Sequence, residues 1–264
     1  MFCHGSRMIK KLALLFLLCT SFNAFAQNLP YLKESVFQPG EVLKYKLKYG
    51  FISAAEGTLK VEKTNRMFAA NKPTFHLSAQ GKTASAFSMF YTVNNRYDSF
   101  IDRKTFLPYY YTENIREGKY RRTDKVTFDQ QKNVVTGNKG TFKGANQTFD
   151  LLSAYYFARN LDLSGMKIGE SFRLTYFLND EVSTLGITYL GKERVKTAIG
   201  TFNCLKFSPE IKPGRIFKKD SKLYLWVTDD GNRIPVKAEV EILVGSITLE
   251  LTGATGLKYP LKKN

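Results

Sequence analysis

Adjacent carboxylates, one histidine, one thiol and a stripe of lysines are the side chains of this sequence that could do chemistry. Asp229 and Asp230 stand together, and two acids at a suitable separation could protonate a glycosidic oxygen and activate a water or attack the sugar. Neighbouring residues at a strand end point in different directions, however, and Gly231-Asn232 follow, so these four residues read first as a turn. His76 alternates with Phe75 and Leu77, which places it on the polar face of a strand. No nucleophile or orienting acid is recognisable around it, so it is not assigned as a general base. Cys204 lies in the alternating run Thr201-Phe202-Asn203-Cys204-Leu205-Lys206-Phe207. With no histidine or basic cluster beside it to form a thiolate, it is expected to be a buried structural thiol. Lys44, Lys46 and Lys48 share one strand face and are the candidate anion-binding residues; a solvated surface is the alternative.

Neither a phosphate-cradling Gly-x-x-x-x-Gly-Lys-Ser/Thr loop nor a Gly-x-Gly-x-x-Gly turn occurs, and the Gly-x-Ser-x-Gly elbow of serine hydrolases is absent. Beyond residue 26 the chain holds only His76 and Cys204 as soft metal ligands, too few for a zinc site of the usual composition. No catalytic, cofactor-binding or metal-ligating residue is assigned, and no cofactor is expected.

Compartment narrows the remaining chemistry. Arg7, Lys10 and Lys11 precede an apolar run from Leu12, which ends at Ala24-Phe25-Ala26. This is the pattern of a secretory signal peptide cleaved after Ala26. Polar Cys19, Thr20, Ser21 and Asn23 interrupt the run too early for a transmembrane anchor. Acylation at Cys19 would favour a small residue before it, where Leu18 stands. Met8 is the more natural initiator, and export is expected from either start. Cleavage removes Cys3 and Cys19, so no intramolecular disulfide is expected. It also removes three of the 40 basic residues and none of the 23 acidic ones, lowering the formal charge from +17 to +14. In a periplasmic or secreted protein such a charge points to anionic lipid or glycan, with peripheral envelope contact, rather than to nucleic acid. The basic residues are dispersed; Arg121-Arg122, Lys218-Lys219 and Lys262-Lys263 are the tightest groups.

The elements that would position any site have a period of two. In Glu41 to Tyr49 the apolar Leu43, Tyr45, Leu47 and Tyr49 alternate with three lysines, as in a half-buried antiparallel strand. Further strands are predicted over 56–62, 74–80, 97–102, 106–115, 120–128, 133–136, 171–177, 187–196, 200–209, 222–228, 235–241 and 245–252, with short polar links that favour antiparallel neighbours. One segment departs: Leu151, Leu152, Tyr155, Tyr156, Ala158 and Leu161 have helical spacing, with Asp150 placed to cap the start. Apolar nearly all round, this helix should be buried across the concave face of the sheet. Ser85 to Tyr91 is predicted as a shorter helical turn with a similar packing role. The fold class is therefore mainly β: a strongly curved antiparallel sheet or flattened open barrel with one packed helix near residues 150–161. Residues 27–264 are expected to form a single domain. Gly40-Glu41 and Gly169-Glu170 each open an alternating strand, which suggests two fused similar halves over about 36–148 and 165–252.

Several landmarks together resemble the family called domain of unknown function 3108. They are Phe37-Gln38-Pro39-Gly40-Glu41, Asp150-Leu151-Leu152-Ser153-Ala154-Tyr155-Tyr156, Gly200-Thr201-Phe202, Leu225-Trp226-Val227-Thr228-Asp229-Asp230 and Arg233-Ile234-Pro235-Val236. The resemblance spans about residues 36 to 252. It implies an exported bacterial envelope protein with a β-rich fold, and it carries over no catalytic residues. In architecture the chain is similar, more distantly, to the curved-sheet carriers that move lipoproteins across the periplasm.

The 21 Phe and 15 Tyr, many at alternating strand positions, suit either a filled core or a curved sheet whose aromatic inner face exceeds what one helix covers. The second arrangement leaves an apolar cleft for an acyl chain, with basic residues at its rim. The expected function is a non-catalytic binding or envelope-maintenance protein that holds a hydrophobic or anionic envelope component such as a lipid. The alternatives are a glycan-acting hydrolase using paired carboxylates and a structural partner of an envelope complex.

Overall fold

Alternating side chains make strands along this chain, and the short breaks between them make consecutive strands neighbours. The computed structural model describes residues 29–68, 71–85, 87–89, 91–211, 221–242 and 244–263. The expected signal segment and the Lys218-Lys219 pair lie outside the described residues. The first run of strands comprises β1 (Val42–Tyr49), β2 (Ile52–Glu62), β3 (Met67–Phe68), β4 (Lys72–Thr83), β5 (Asn94–Asp102), β6 (Pro108–Glu117), β7 (Tyr120–Asp129), β8 (Val134–Gly137) and β9 (Gly140–Lys143). After β10 (Thr148–Phe149) comes the helix α1 (Leu151–Arg159). The chain then returns to β11 (Ser171–Leu178), β12 (Glu181–Thr197), β13 (Gly200–Pro209), β14 (Leu223–Thr228), β15 (Pro235–Glu241) and β16 (Ser246–Thr255).

All of these strands except β3, which pairs only with β4, follow one another in a single sheet ordered β10-β11-β12-β13-β14-β15-β16-β1-β2-β4-β5-β6-β7-β8-β9. The early and late strands join where β1 pairs with β16 over its whole length. The pairs are antiparallel apart from β10 with β11, because the chain must cross α1 before β11 begins. Gly40 and Gly169 both take positive φ, 100° and 90°, just before β1 and β11, so the repeated Gly-Glu marks the same backbone turn into a strand. The short β3, β9 and β10 were not expected from the sequence.

The sheet curls until its ends approach, and side chains close the seam. Phe142 of β9 and Phe177 of β11 lie 5.1 Å apart between ring centroids. At the β11–β12 turn, Asp180 takes an ion pair of 3.0 Å from Lys139, and Asn179 accepts from Arg122 of β7 at 2.8 Å. Both turn residues have positive φ, a conformation Asn and Asp tolerate better than other non-glycine residues.

α1 lies inside the curl. The Asp150 carboxylate accepts from the Leu152 and Ser153 amides, both at 2.9 Å, while the Ser153 hydroxyl accepts from the Asp150 amide, a reciprocal capping box. Ser99 of β5 donates to the other carboxylate oxygen at 2.7 Å, which ties the start of the helix to the sheet wall. Val61, Leu77, Ile101, Leu152, Tyr156 and Phe157 fill the main core around α1. A second core gathers Leu43, Val195, Phe202, Cys204, Trp226 and Leu251. The expected helical turn at Ser85 to Tyr91 has a different role: its described residues form hydrogen-bonded turns, and Met89 projects 88% exposed instead of packing on the sheet.

Candidate functional site

The inner faces of the late strands build an apolar cleft. Phe172, Leu174 and Tyr176 of β11 line it with Leu185 and Ile187 of β12, Leu205 and Phe207 of β13 and Leu225 and Val227 of β14. Ladder registers pair Phe172 with Ile187, Leu174 with Leu185, Phe207 with Leu225 and Leu205 with Val227, so alternation puts all of them on one face. Leu151, Ala154, Tyr155 and Ala158 of α1 supply the opposite wall. The two alanines are too short to reach the sheet, and a cavity of about 330 Å³ remains.

A second apolar chamber of about 360 Å³ adjoins it under the early strands and shares Tyr155, Leu225 and Pro235 with the first. Its shape follows from side-chain size along β2 and β4. Deep in the sheet Val61 faces Leu77; nearer the hairpin tips Leu59 faces Ala79, and then Gly57 faces Gly81. Burial follows the same gradient, from buried Val61 and Leu77 to half-exposed Gly57, Gly81 and Tyr97. A Cβ built on Gly81 would meet nothing within 4 Å. The chamber therefore widens toward the tips, where the inner face is wet.

Between the chambers stands a tyrosine pair. The Tyr45 hydroxyl donates to the Pro235 carbonyl at 3.0 Å and lies 3.2 Å from the Tyr155 hydroxyl. Because the single Tyr45 proton goes to the carbonyl, Tyr155 is the donor of that second bond. Burial pushes the Tyr155 hydroxyl up to about 12, against the nearby Arg159 cation, so both groups are neutral at physiological pH.

The other end of the cleft is polar. A vestibule of about 450 Å³ shares Leu163, Leu205, Phe207 and Arg233 with it and adds Lys192, Asp229 and Asp230. Arg233 stands at the junction, donates to the Leu161 carbonyl, and has no carboxylate at ion-pair distance among the described residues. Burial pushes its guanidinium down, and Asp162 and Asp229 partly offset that. Arg159, on the cleft wall, is by contrast fully matched. Its guanidinium reaches both Glu41 carboxylate oxygens at 2.6 and 2.9 Å and also the Asn232 carbonyl at 3.0 Å. Glu41 and Arg159 are 0% and 2% exposed at the side chain. Desolvation would lower the Arg159 pKa, but the adjacent Glu41 charge outweighs it and holds it above its ordinary value.

The residues singled out from the sequence are scattered. Asp230 holds the turn together, accepting from Thr228, Asn232 and Arg233, while Asp229 is paired to Lys192 at 2.6 Å. His76 sits 2.8 Å from Asp98 and stacks on Phe100 at 4.4 Å, and among the described residues no hydroxyl or thiol is hydrogen-bonded to its ring. Cys204 is fully buried, and burial pushes its thiol up to about 12, with Asp230, Glu193 and Asp229 adding to the effect. Lys44, Lys46 and Lys48 alternate with the inward Tyr45 and so face away from the cleft; Lys48 is neutralised by Glu250 at 2.7 Å. Among the described residues no group of three or more His, Cys, Asp or Glu could hold a metal ion, and no helix is long and apolar enough to cross a membrane. Glu113 and Asp124, register partners on β6 and β7, are a pair of largely buried carboxylates facing Arg122. Burial pushes the Glu113 carboxyl up, against the Tyr111 hydrogen bond and Arg122, with Asp124 adding to the rise.

Fold and site together define a class: an open, barrel-like β protein wrapped round one helix, with an apolar cleft on its inner face. The chain belongs to the family described as Protein of unknown function (DUF3108), whose model matches residues 44–252. No curated protein matches it. Among solved structures it is similar to a beta-barrel-like DUF1849 protein from Brucella abortus, at 11% identity and a TM-score of 0.54, covering 84% of this chain and 98% of that one. Two others give lower scores. A Bacteroides fragilis protein described as exported, with a YmcC-like fold, has 12% identity and a TM-score of 0.40 over 86% of this chain and 100% of its own. A Parabacteroides distasonis protein described as a lipoprotein has 10% identity and a TM-score of 0.36 over 87% and 100%.

Proposed function

We propose that this protein is an exported, non-catalytic binding protein of the bacterial envelope that holds the hydrocarbon part of a lipid in its inner cleft. The observation that carries the reading is the pair of adjoining apolar chambers beside α1, about 330 and 360 Å³, each within the size range of ligand sites. The apolar lining favours an apolar guest, since covering it removes that surface from water. The sequence supports export through its N-terminal basic, apolar and small-x-small pattern. The polar vestibule with half-buried Arg233 suits the polar end of an amphiphile.

Native mass spectrometry of the chain recovered gently from the periplasm tests this. The expected result is a fraction carrying one added lipid mass, and a reduced fraction in Gly81→Leu, which narrows the second chamber without backbone strain. A guest-free wild-type chain under conditions that preserve known lipid complexes would overturn it. Turnover of an envelope glycan that depends on Glu113 would instead establish the hydrolase alternative.

A further inference from the structure

The hairpin tips at one end of the sheet carry apolar side chains that their turns do not require. Gly50, Gly118 and Gly245 supply the positive φ that these turns need, at 56°, 53° and 81°, and turn chemistry otherwise favours polar residues. Yet Phe51 is 95% exposed and Val244 72%, and Tyr91 and Tyr120 are exposed beside the projecting Met89. Single exposed hydrophobics need no explanation, but a contiguous row does. These residues form such a row, because their strands are neighbours in the order β15-β16-β1-β2-β4-β5-β6-β7. The Tyr49 hydroxyl donates to the Val244 carbonyl at 3.0 Å, the Ala84 amide to Ala54 at 3.0 Å and the Gly118 amide to Thr92 at 2.8 Å, so adjacent tips are tied together.

The charge at one corner of this rim is positive. Arg116, Lys119 and Arg121 are exposed around Tyr120 and have no carboxylate at ion-pair distance among the described residues. Glu117 between them accepts from Asn95 at 2.6 Å, and Glu241 stands at the far end of the row. The two guanidiniums are steadied by neighbouring carbonyl oxygens, that of Arg121 by Gly118 and Tyr120 and that of Arg116 by the Asn114 side chain. Projecting Phe, Met and Val flanked by Tyr, Arg and Lys is the side-chain set that partitions into a headgroup boundary, and cations beside it are attracted to an anionic surface. This is also the end toward which the inner face becomes wet.

We propose that this rim docks on an anionic lipid bilayer, with Phe51, Met89 and Val244 entering the headgroup region and Arg116, Lys119 and Arg121 meeting lipid phosphates. The proposal goes beyond the cleft reading and stands without it. Co-sedimentation of the purified chain with phosphatidylcholine vesicles, with and without phosphatidylglycerol, tests it. Binding is expected to the mixed vesicles, to weaken with salt, and to fall about tenfold or more in Phe51→Ser/Val244→Ser and in Lys119→Glu/Arg121→Glu. Lys104→Gln, exposed in the β5–β6 turn at the opposite end of the sheet, should bind as the wild type does, and unchanged thermal midpoints will show that the surface variants fold. Equal binding by the rim variants, equal loss in Lys104→Gln, or a rim-dependent dimer that ignores vesicles would each overturn it. Cleft occupancy by mass spectrometry is read separately, so an empty cleft with rim-dependent vesicle binding would refute only the earlier reading.

Discussion

The Tyr45 hydroxyl gives its proton to the Pro235 carbonyl and receives one from Tyr155, so the two tyrosines are not equivalent. Tyr155→Phe leaves the carbonyl satisfied and should cost about 0.5–1.5 kcal/mol in urea unfolding, whereas Tyr45→Phe strands a buried carbonyl and should cost about 1–3 kcal/mol. Equal losses would refute the assigned direction. Asp98 gives a prediction in pH. Burial pushes its carboxyl up, but hydrogen bonds from His76 and Arg96 outweigh that and hold it below the ordinary 3.8. A lowered carboxyl stabilises above its unfolded value and loses that stabilisation as pH falls through the folded one. The gap in unfolding free energy between wild type and Asp98→Asn should therefore be widest near neutral pH and close below about pH 4. A gap that does not change with pH would show that Asp98 acts through packing alone. His76 was legible as a strand residue from Phe75 and Leu77; its acid was not, because Asp98 reaches it only through the β4–β5 register.

Among the elements, α1 is held at both ends by buried polar groups, Ser99 on Asp150 and Glu41 on Arg159. Replacing Glu41 by Leu leaves the Arg159 guanidinium buried and unpaired, and should cost about 3–5 kcal/mol by chemical denaturation, whereas Glu41→Leu/Arg159→Met should recover most of it. A double variant as unstable as the single would mean that the loss lies in the turn before β1. The helix itself was legible from its spacing and from Asp150, since both signals are local. Its clamp was not. An arginine in a last helical turn reads as a solvated complement to the helix dipole, and nothing local links it to Glu41, 118 positions away. The same limit explains β3, β9 and β10: β3 and β10 are only two residues long, and β9, Gly140-Thr141-Phe142-Lys143, has a single apolar residue, so none carries a period to detect.

At the scale of the whole molecule, a sheet closed by side chains rather than by a complete hydrogen-bond ladder can hold a guest without being a sealed barrel. The curved sheet and the aromatic inner face were legible in the alternation. An apolar cleft was one of the two arrangements the aromatic residues allowed; the second chamber was not legible, because it depends on Gly57 facing Gly81, a register that no local pattern reveals. A bound guest is then part of the folding free energy, and its removal has a measurable consequence. A chain stripped of lipid by unfolding and refolding over a lipophilic resin should melt below the chain as purified. The difference should be about 2.7 kcal/mol if the site was filled at a hundredfold excess over Kd, or roughly 5–10 °C for a chain of this size. Gly81→Leu supplies its own apolar group to the second chamber and replaces a strand glycine, so it should melt as high as, or higher than, the stripped wild type, with a much smaller response to stripping. An undiminished response in Gly81→Leu would place the guest outside that chamber, whereas a wild type indifferent to stripping would mean that the sheet's curvature and its seam contacts alone keep the cleft open.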